Sequence, residues 1–221
     1  VHMFYNGIFN TPDEAARNAV QLADNDHEPL YFTVFPKAED MIVEVGVAIY
    51  EYFGGWSNSS KKFQNFVKQY GNEGAIVSAH SRGTLTVSNG VNNFKKHGVY
   101  GVAKKTDFYL FGAAAHNQSI ANTVDEISYG KKNYVYTQGH LLDPISTVVG
   151  YNWPTAYGIP FRLYYLYPPA IPPAIVVREG GGALAGFNPS THRCYGDASP
   201  ECKDNYGSFD FKKVHSTRTG S

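Results

Sequence analysis

Ser81 lies in the stretch GAIVSAHSRGTLTV, residues 74–87, where an apolar run passes directly into a helical pattern. Ala79-His80-Ser81-Arg82-Gly83 is a variant of the nucleophile elbow G-x-S-x-G, with Ala79 in place of the first glycine. A serine on a strained turn between strand and helix needs small residues two positions before and two after it, so that the backbones can pass. Ala79 and Gly83 meet that need. A helix starting just beyond Ser81 points its unsatisfied N–H groups and positive dipole end at any negative charge formed there. The Arg82 amide is then one donor of an oxyanion hole. The second is expected in Asn6-Gly7-Ile8-Phe9, after the first strand, where Gly7 lets the backbone approach a reacting carbonyl and the Ile8 amide points at it. The plain alternatives are a strand-to-helix turn capped by serine and an ordinary turn at 6–9.

A hydroxyl needs a base, and the base needs an orienter. Behind an elbow the acid comes next in the chain and the histidine last, each at the end of a later strand. Asp143 fits the acid: NYVYTQ reads as a strand, and GHLLDPIS as a loop in which Pro144 stiffens the turn presenting the carboxylate. Asp125 falls on a helix, and Asp197 and Asp204 come too late. Of the eight histidines, His192 in FNPSTHRCYG is the candidate base. His2, His27 and His97 precede the acid in terminal or turn contexts. His80 adjoins Ser81 and points to the other side of the turn. His116 and His140 follow strand ends and can line the cleft, and His215 lies in the tail.

The elements that must position these residues alternate. Strands are expected at 3–9, 30–35, 74–80, 106–112 and 133–138. Thr11-Pro12-Asp13-Glu14 opens a helix with a capping box, and further helices are expected at about 38–53, 58–70, 83–96 and 117–128. Short strands, apolar on both faces and joined by helices, describe a mostly parallel sheet with helices on both faces, in a single α/β domain spanning 1–221. Residues 151–190 break the pattern with six prolines between 154 and 173 and a glycine triplet at 180–182. They read as an irregular Pro/Tyr-rich cover over the cleft, and 214–221 as a flexible tail. Cys194 and Cys202, the only cysteines, are separated by turn formers and can meet in a disulfide. Such a bridge would pin the loop two residues from His192 and imply maturation outside a reducing cytosol.

Lys plus Arg (19) equals Asp plus Glu (19), so the bulk positive field of a nucleic-acid binder is missing. No apolar run approaches a membrane span. The sequence holds no P-loop, dinucleotide-binding glycine fingerprint, EF-hand, zinc-protease motif or CxxC pair, so neither cofactor nor metal is expected. Paired lysines at 61–62, 95–96, 104–105, 131–132 and 212–213 read as solvated surface, with contact to anionic lipid head groups or a partner as the other option. Aromatic residues make up 15%, which suits a deep apolar cleft, a protein–protein face or dense packing.

Through the elbow, the Asp143-Pro144 loop and the late His192, the chain resembles the α/β-hydrolase superfamily. Through YNGIFNTPDEAARNA, AHSRGTLTVSNG and THRCYGDASPEC it looks more closely like the hydrolase-type C-terminal toxin modules of secreted haemagglutinin and contact-dependent growth-inhibition proteins. The resemblance implies a serine ester hydrolase, a lipase or phospholipase, secreted as the C-terminal part of a larger protein and delivered into target bacteria. It further implies a lipid or other ester substrate, a cognate immunity protein and peripheral membrane contact. Two other readings stay open: a non-enzymatic binding module on the same fold, and the same triad acting on an amide or thioester.

Overall fold

The computed structural model describes residues 1–5, 29–33, 58–141, 143, 145–155, 194–195 and 210–218. Its strands are β1 (His2–Tyr5), β2 (Leu30–Thr33), β3 (Ala75–His80), β4 (Thr106–Phe111), β5 (Tyr134–Gln138) and β6 (Lys212–His215). Its α-helices are α1 (Asn58–Tyr70), α2 (Arg82–Lys96) and α3 (Asn117–Ile127), and a π-helical turn runs from Ile145 to Val149. The strands form one six-stranded sheet in the order β2-β1-β3-β4-β5-β6. All neighbours are parallel except β5 and β6. This is an α/β fold with a mostly parallel sheet. The expected strands 1 to 5 and the helices at 58–70, 83–96 and 117–128 are present, within a residue or two wherever their ends are described. Residues 6–9, 34–35, the helices expected from Thr11 and over 38–53, and the cover at 156–190 lie outside the described residues.

The three helices pack on one face of the sheet. On α1 the buried Ser60, Phe63, Phe66 and Val67 recur at helical spacing. Phe63 meets Tyr5 of β1, Phe94 of α2 and Phe108 of β4 at ring-centroid distances of 6.2, 6.5 and 6.5 Å. Gly90 makes this close approach of α1 to α2 possible, because a Cβ there would lie 2.1 Å from Phe63 Cδ1. On α3, Asn117 donates a 2.7 Å bond to Thr137 Oγ1 of β5. The register puts Tyr5, Val77, Phe108, Leu110, Val135 and Thr137 on this helix-covered face. The opposite face carries Ser78, His80, Asp107, Tyr109, Phe111, Tyr134 and Tyr136.

Two expectations need correction. The flexible tail does not begin at Val214: β6 pairs Val214 with Val135, and Ser216 donates its N–H to Asn133 O at 2.7 Å. Arg218 pairs with Glu126, which Lys95 also reaches at 2.8 Å. The hydrogen bond from Lys95, the largest cause, and the charge of Arg218 together outweigh burial and hold the Glu126 carboxyl below its usual range. Nor are the lysine pairs all solvated. Lys132 is buried, paired with Asp107, and sits 4.1 Å from the centroid of the Tyr134 ring. Burial pulls its pKa down, but the hydrogen bonds and charges of Asp107 and Tyr134 outweigh that, and the net shift is upward.

Candidate active site

β1 has β2 on one side and β3 on the other, so the strand order reverses between β1 and β3. In open α/β sheets the crevice at the carboxyl ends of such a switch point is where ligands bind. Ser81 stands there, at the end of β3. Tyr5, the last residue of β1, is in register with Ala79.

Ser81 has φ 53° and ψ −120°, a region costing a non-glycine residue about 1–3 kcal/mol. That is the strained strand-to-helix turn that the spacing of small residues predicts. Ala79 is fully buried, in register with Tyr5 and Leu110, and Gly83 is buried in the first turn of α2. The Ser81 N–H continues the ladder to Phe111 O at 3.0 Å, while its carbonyl accepts from the Thr84 amide at 3.0 Å and from Thr84 Oγ1 at 2.6 Å. Thr84 Oγ1 in turn accepts the Ala115 N–H at 3.1 Å, which ties the elbow to the loop after β4. The Ser81 side chain makes no cap bond to the helix. Arg82 is the first residue of α2, at the helix end toward which the positive end of the helix dipole points.

Asp143 follows β5 on the same rim and is fully buried. Its Oδ1 accepts the Ile145 N–H at 2.9 Å and its Oδ2 accepts the Tyr195 hydroxyl at 2.8 Å. Its backbone N–H closes a turn to His140 O at 3.0 Å, and its carbonyl receives the Thr147 amide and hydroxyl at 3.0 and 2.7 Å. The π-helical turn that follows is therefore anchored on the acid itself. Asn152 fastens this region to the loop after β4, donating to Ala113 O and Ala115 O at 3.1 and 2.9 Å and accepting the Asn117 N–H at 2.8 Å.

Three participants are absent from the sequence reading. Tyr195, besides donating to Asp143, accepts the His140 N–H at 2.7 Å and sets its ring 5.9 Å from that of His80. Gly112, with φ 47°, leaves room for it: a Cβ there would lie 2.6 Å from Tyr195 Cε2 and 2.9 Å from Asp143 Oδ2. Asn152 is the third. A glycine and three alanines at 112–115, directly after a strand, were the legible signal for a close approach; Tyr195 and Asn152 had no local signal.

His192, Ile8, Gly7 and Cys202 lie outside the described residues. Cys194 is buried and disulfide-bonded, and Cys202 is the only other cysteine in the chain. Of the other histidines, His27 also lies outside the described residues, and His80 and His140 border Tyr195. His215 pairs with Tyr134, at the end of β5 far from Asp143, and is not in the acid's neighbourhood. His2 is buried with its Nε2 2.8 Å from Ser78 Oγ, His97 caps α2, and His116 is exposed with its Nδ1 3.0 Å from Ser119 Oγ. Among the described residues no group of three or more His, Cys, Asp or Glu is placed to hold a metal, and no helix is long and apolar enough to cross a membrane.

Compared with known proteins, the chain matches no family model, and no curated protein or solved structure matches it significantly.

Proposed function

We propose that the chain is a serine ester hydrolase of the α/β-hydrolase type. The observation that carries this reading is the positive-φ conformation of Ser81 at a strand-to-helix junction on the rim that also holds the buried Asp143 carboxylate. Ser81 Oγ attacks the ester carbonyl carbon while the His192 imidazole takes its proton. The Arg82 and Ile8 amides hold the oxyanion of the tetrahedral intermediate. Collapse expels the alcohol, which receives the proton from His192. Water then repeats the sequence on the acyl-enzyme and releases the carboxylic acid. Asp143 holds the imidazole in the tautomer that can accept from serine.

A lipid ester is the proposed substrate. Leu141, Val148, Tyr151 and Trp153 flank Asp143 in the chain and are exposed, Tyr151 at 82% and Trp153 at 89%. In residues 141–155 the one charged side chain is the buried Asp143. An uncharged rim bearing Trp and Tyr suits the boundary between lipid head groups and acyl chains, which also supports peripheral membrane contact. The disulfide at Cys194 supports maturation in an oxidising compartment, in keeping with a secreted toxin delivered into target bacteria and neutralised by an immunity protein. The same exposed rim favours, as the second reading, a binding module without catalysis.

Fluorophosphonate labelling decides between them. The wild type should be labelled at Ser81, and Ser81→Ala should lose labelling and ester hydrolysis by a factor on the order of 10⁴ or more. Equal labelling of both proteins would end the hydrolase reading. Free fatty acid and lysolipid released from phospholipid vesicles only by the wild type would identify the substrate class.

A further inference from the structure

We infer that Tyr195 is a positioning residue for the acid of the triad, acting on the base through Asp143. The inference rests on the hydrolase reading. One hydroxyl spans the turn that presents the acid: it accepts the His140 N–H at 2.7 Å and donates to Asp143 Oδ2 at 2.8 Å. The turn between those residues is closed by its own backbone bond, Asp143 N–H to His140 O at 3.0 Å. Tyr195 therefore fixes both the backbone at the start of the turn and the carboxylate at its end.

The ring is seated for this task. Tyr195 is 8% exposed, lies over Gly112 where no Cβ fits, and has Cys194, buried and disulfide-bonded, as its chain neighbour. A carboxylate removed from water is costly unless donors surround it, and a phenol is a neutral donor that adds no second charge. The pull of this donor on the carboxylate also limits how strongly Asp143 can stabilise a protonated base. Tyr195 thus sets both the direction of the carboxylate and, on the hydrolase reading, the acidity of the base that the carboxylate orients. The other titratable groups beside the pair, among the described residues, are His140 on the same turn and His80 at the end of β3.

Tyr195→Phe keeps the ring and removes the hydroxyl. A hydrogen bond to a charged group contributes about 1.5–3 kcal/mol, so the labelling rate of Ser81 by a fluorophosphonate should fall about tenfold to a hundredfold. For a soluble short-chain ester, kcat should fall with KM nearly unchanged. The acidic limb of the kcat/KM profile should move to higher pH, because the carboxylate left with one donor fewer favours the imidazolium more. In an Asp143→Asn background the same change should cost less than about twofold, since coupled residues are not additive. Replacing Tyr195 with 3-fluorotyrosine retains both hydrogen bonds and should keep the rate near the wild-type value at neutral pH. This variant carries the test if Tyr195→Phe fails to fold. A Tyr195→Phe protein labelled at the wild-type rate, or one whose loss is equally large in the Asp143→Asn background, would overturn the inference and leave the hydrolase reading standing. A wild type that is not labelled at Ser81 would remove both.

Discussion

At the carboxyl ends of β3 and β5 the chain holds Ser81 at φ 53° and buries Asp143, whose carboxyl accepts from the Ile145 amide and the Tyr195 hydroxyl. At the amino ends of β4 and β5, on the face away from the described helices, it pairs Lys132 with Asp107 beside packed tyrosines. There Tyr109 and Tyr136 stack with centroids 4.7 Å apart and planes 9° from parallel, and Lys213 Nζ stands 4.6 Å from the Tyr134 ring. The hydrogen bonds from Tyr136 and Lys132 hold the Tyr134 phenol below its usual range, while the bond to Tyr134 raises Tyr136. In this second region charge meets opposite charge or a π-face, which is what a structural network does. In the first, a fully buried carboxyl takes donors from a backbone amide and a phenol, and a non-glycine residue is kept in a strained backbone conformation, which costs stability and clusters at functional sites.

Breaking the first region should change activity. Asp143→Asn should lower the Ser81 labelling rate on the order of 10³-fold or more, because an amide cannot enforce the required imidazole tautomer. A labelling rate within tenfold of wild type would remove Asp143 from the triad.

Breaking the second should change stability alone. Asp107→Asn leaves Lys132 buried with a weaker partner and should cost about 1–2 kcal/mol in urea unfolding, with labelling unaltered. Because the folded-state pKa of Lys132 is raised, its contribution is present below the unfolded lysine value and lost as pH rises through the folded one. Wild type and Asp107→Asn should therefore converge in stability at strongly alkaline pH. A constant gap between them would assign the effect to packing instead of charge.

The smallest effect sharpens the contrast. Ser81→Gly removes the penalty of φ 53° and should raise stability by about 1 kcal/mol while abolishing labelling. A destabilised Ser81→Gly would show that the turn is not strained.

The parts of this molecule that can be read from sequence are those whose cause is local. β3 and the elbow are legible because an apolar run, small flanking residues and a helical pattern adjoin one another. Asp143 is legible because an Asp-Pro pair stands in the short loop after a strand. β6 is not, since KKVH has one apolar side chain and becomes a strand only through its pairing with β5. Lysines are common on exposed edges, where they discourage further pairing, so they read as surface. Lys132 and Tyr195 stay hidden for another reason. Their partners lie 25 and 52 residues away, and no pattern near either residue records that a charge or a hydroxyl will be received.

The antiparallel course of β6 has a practical result. It runs from Lys212 beside Thr137 to His215 beside Tyr134, so the chain after it leaves at the amino ends of the parallel strands. Val1 is fastened at that same end, its carbonyl accepting the Ile76 N–H at 2.9 Å and its ammonium reaching Gly74 O at 3.4 Å. Tethers attached at either terminus, whether to a bead, a dye or a bulky fusion, would hang from the pole opposite Ser81 and leave the approach to it unobstructed.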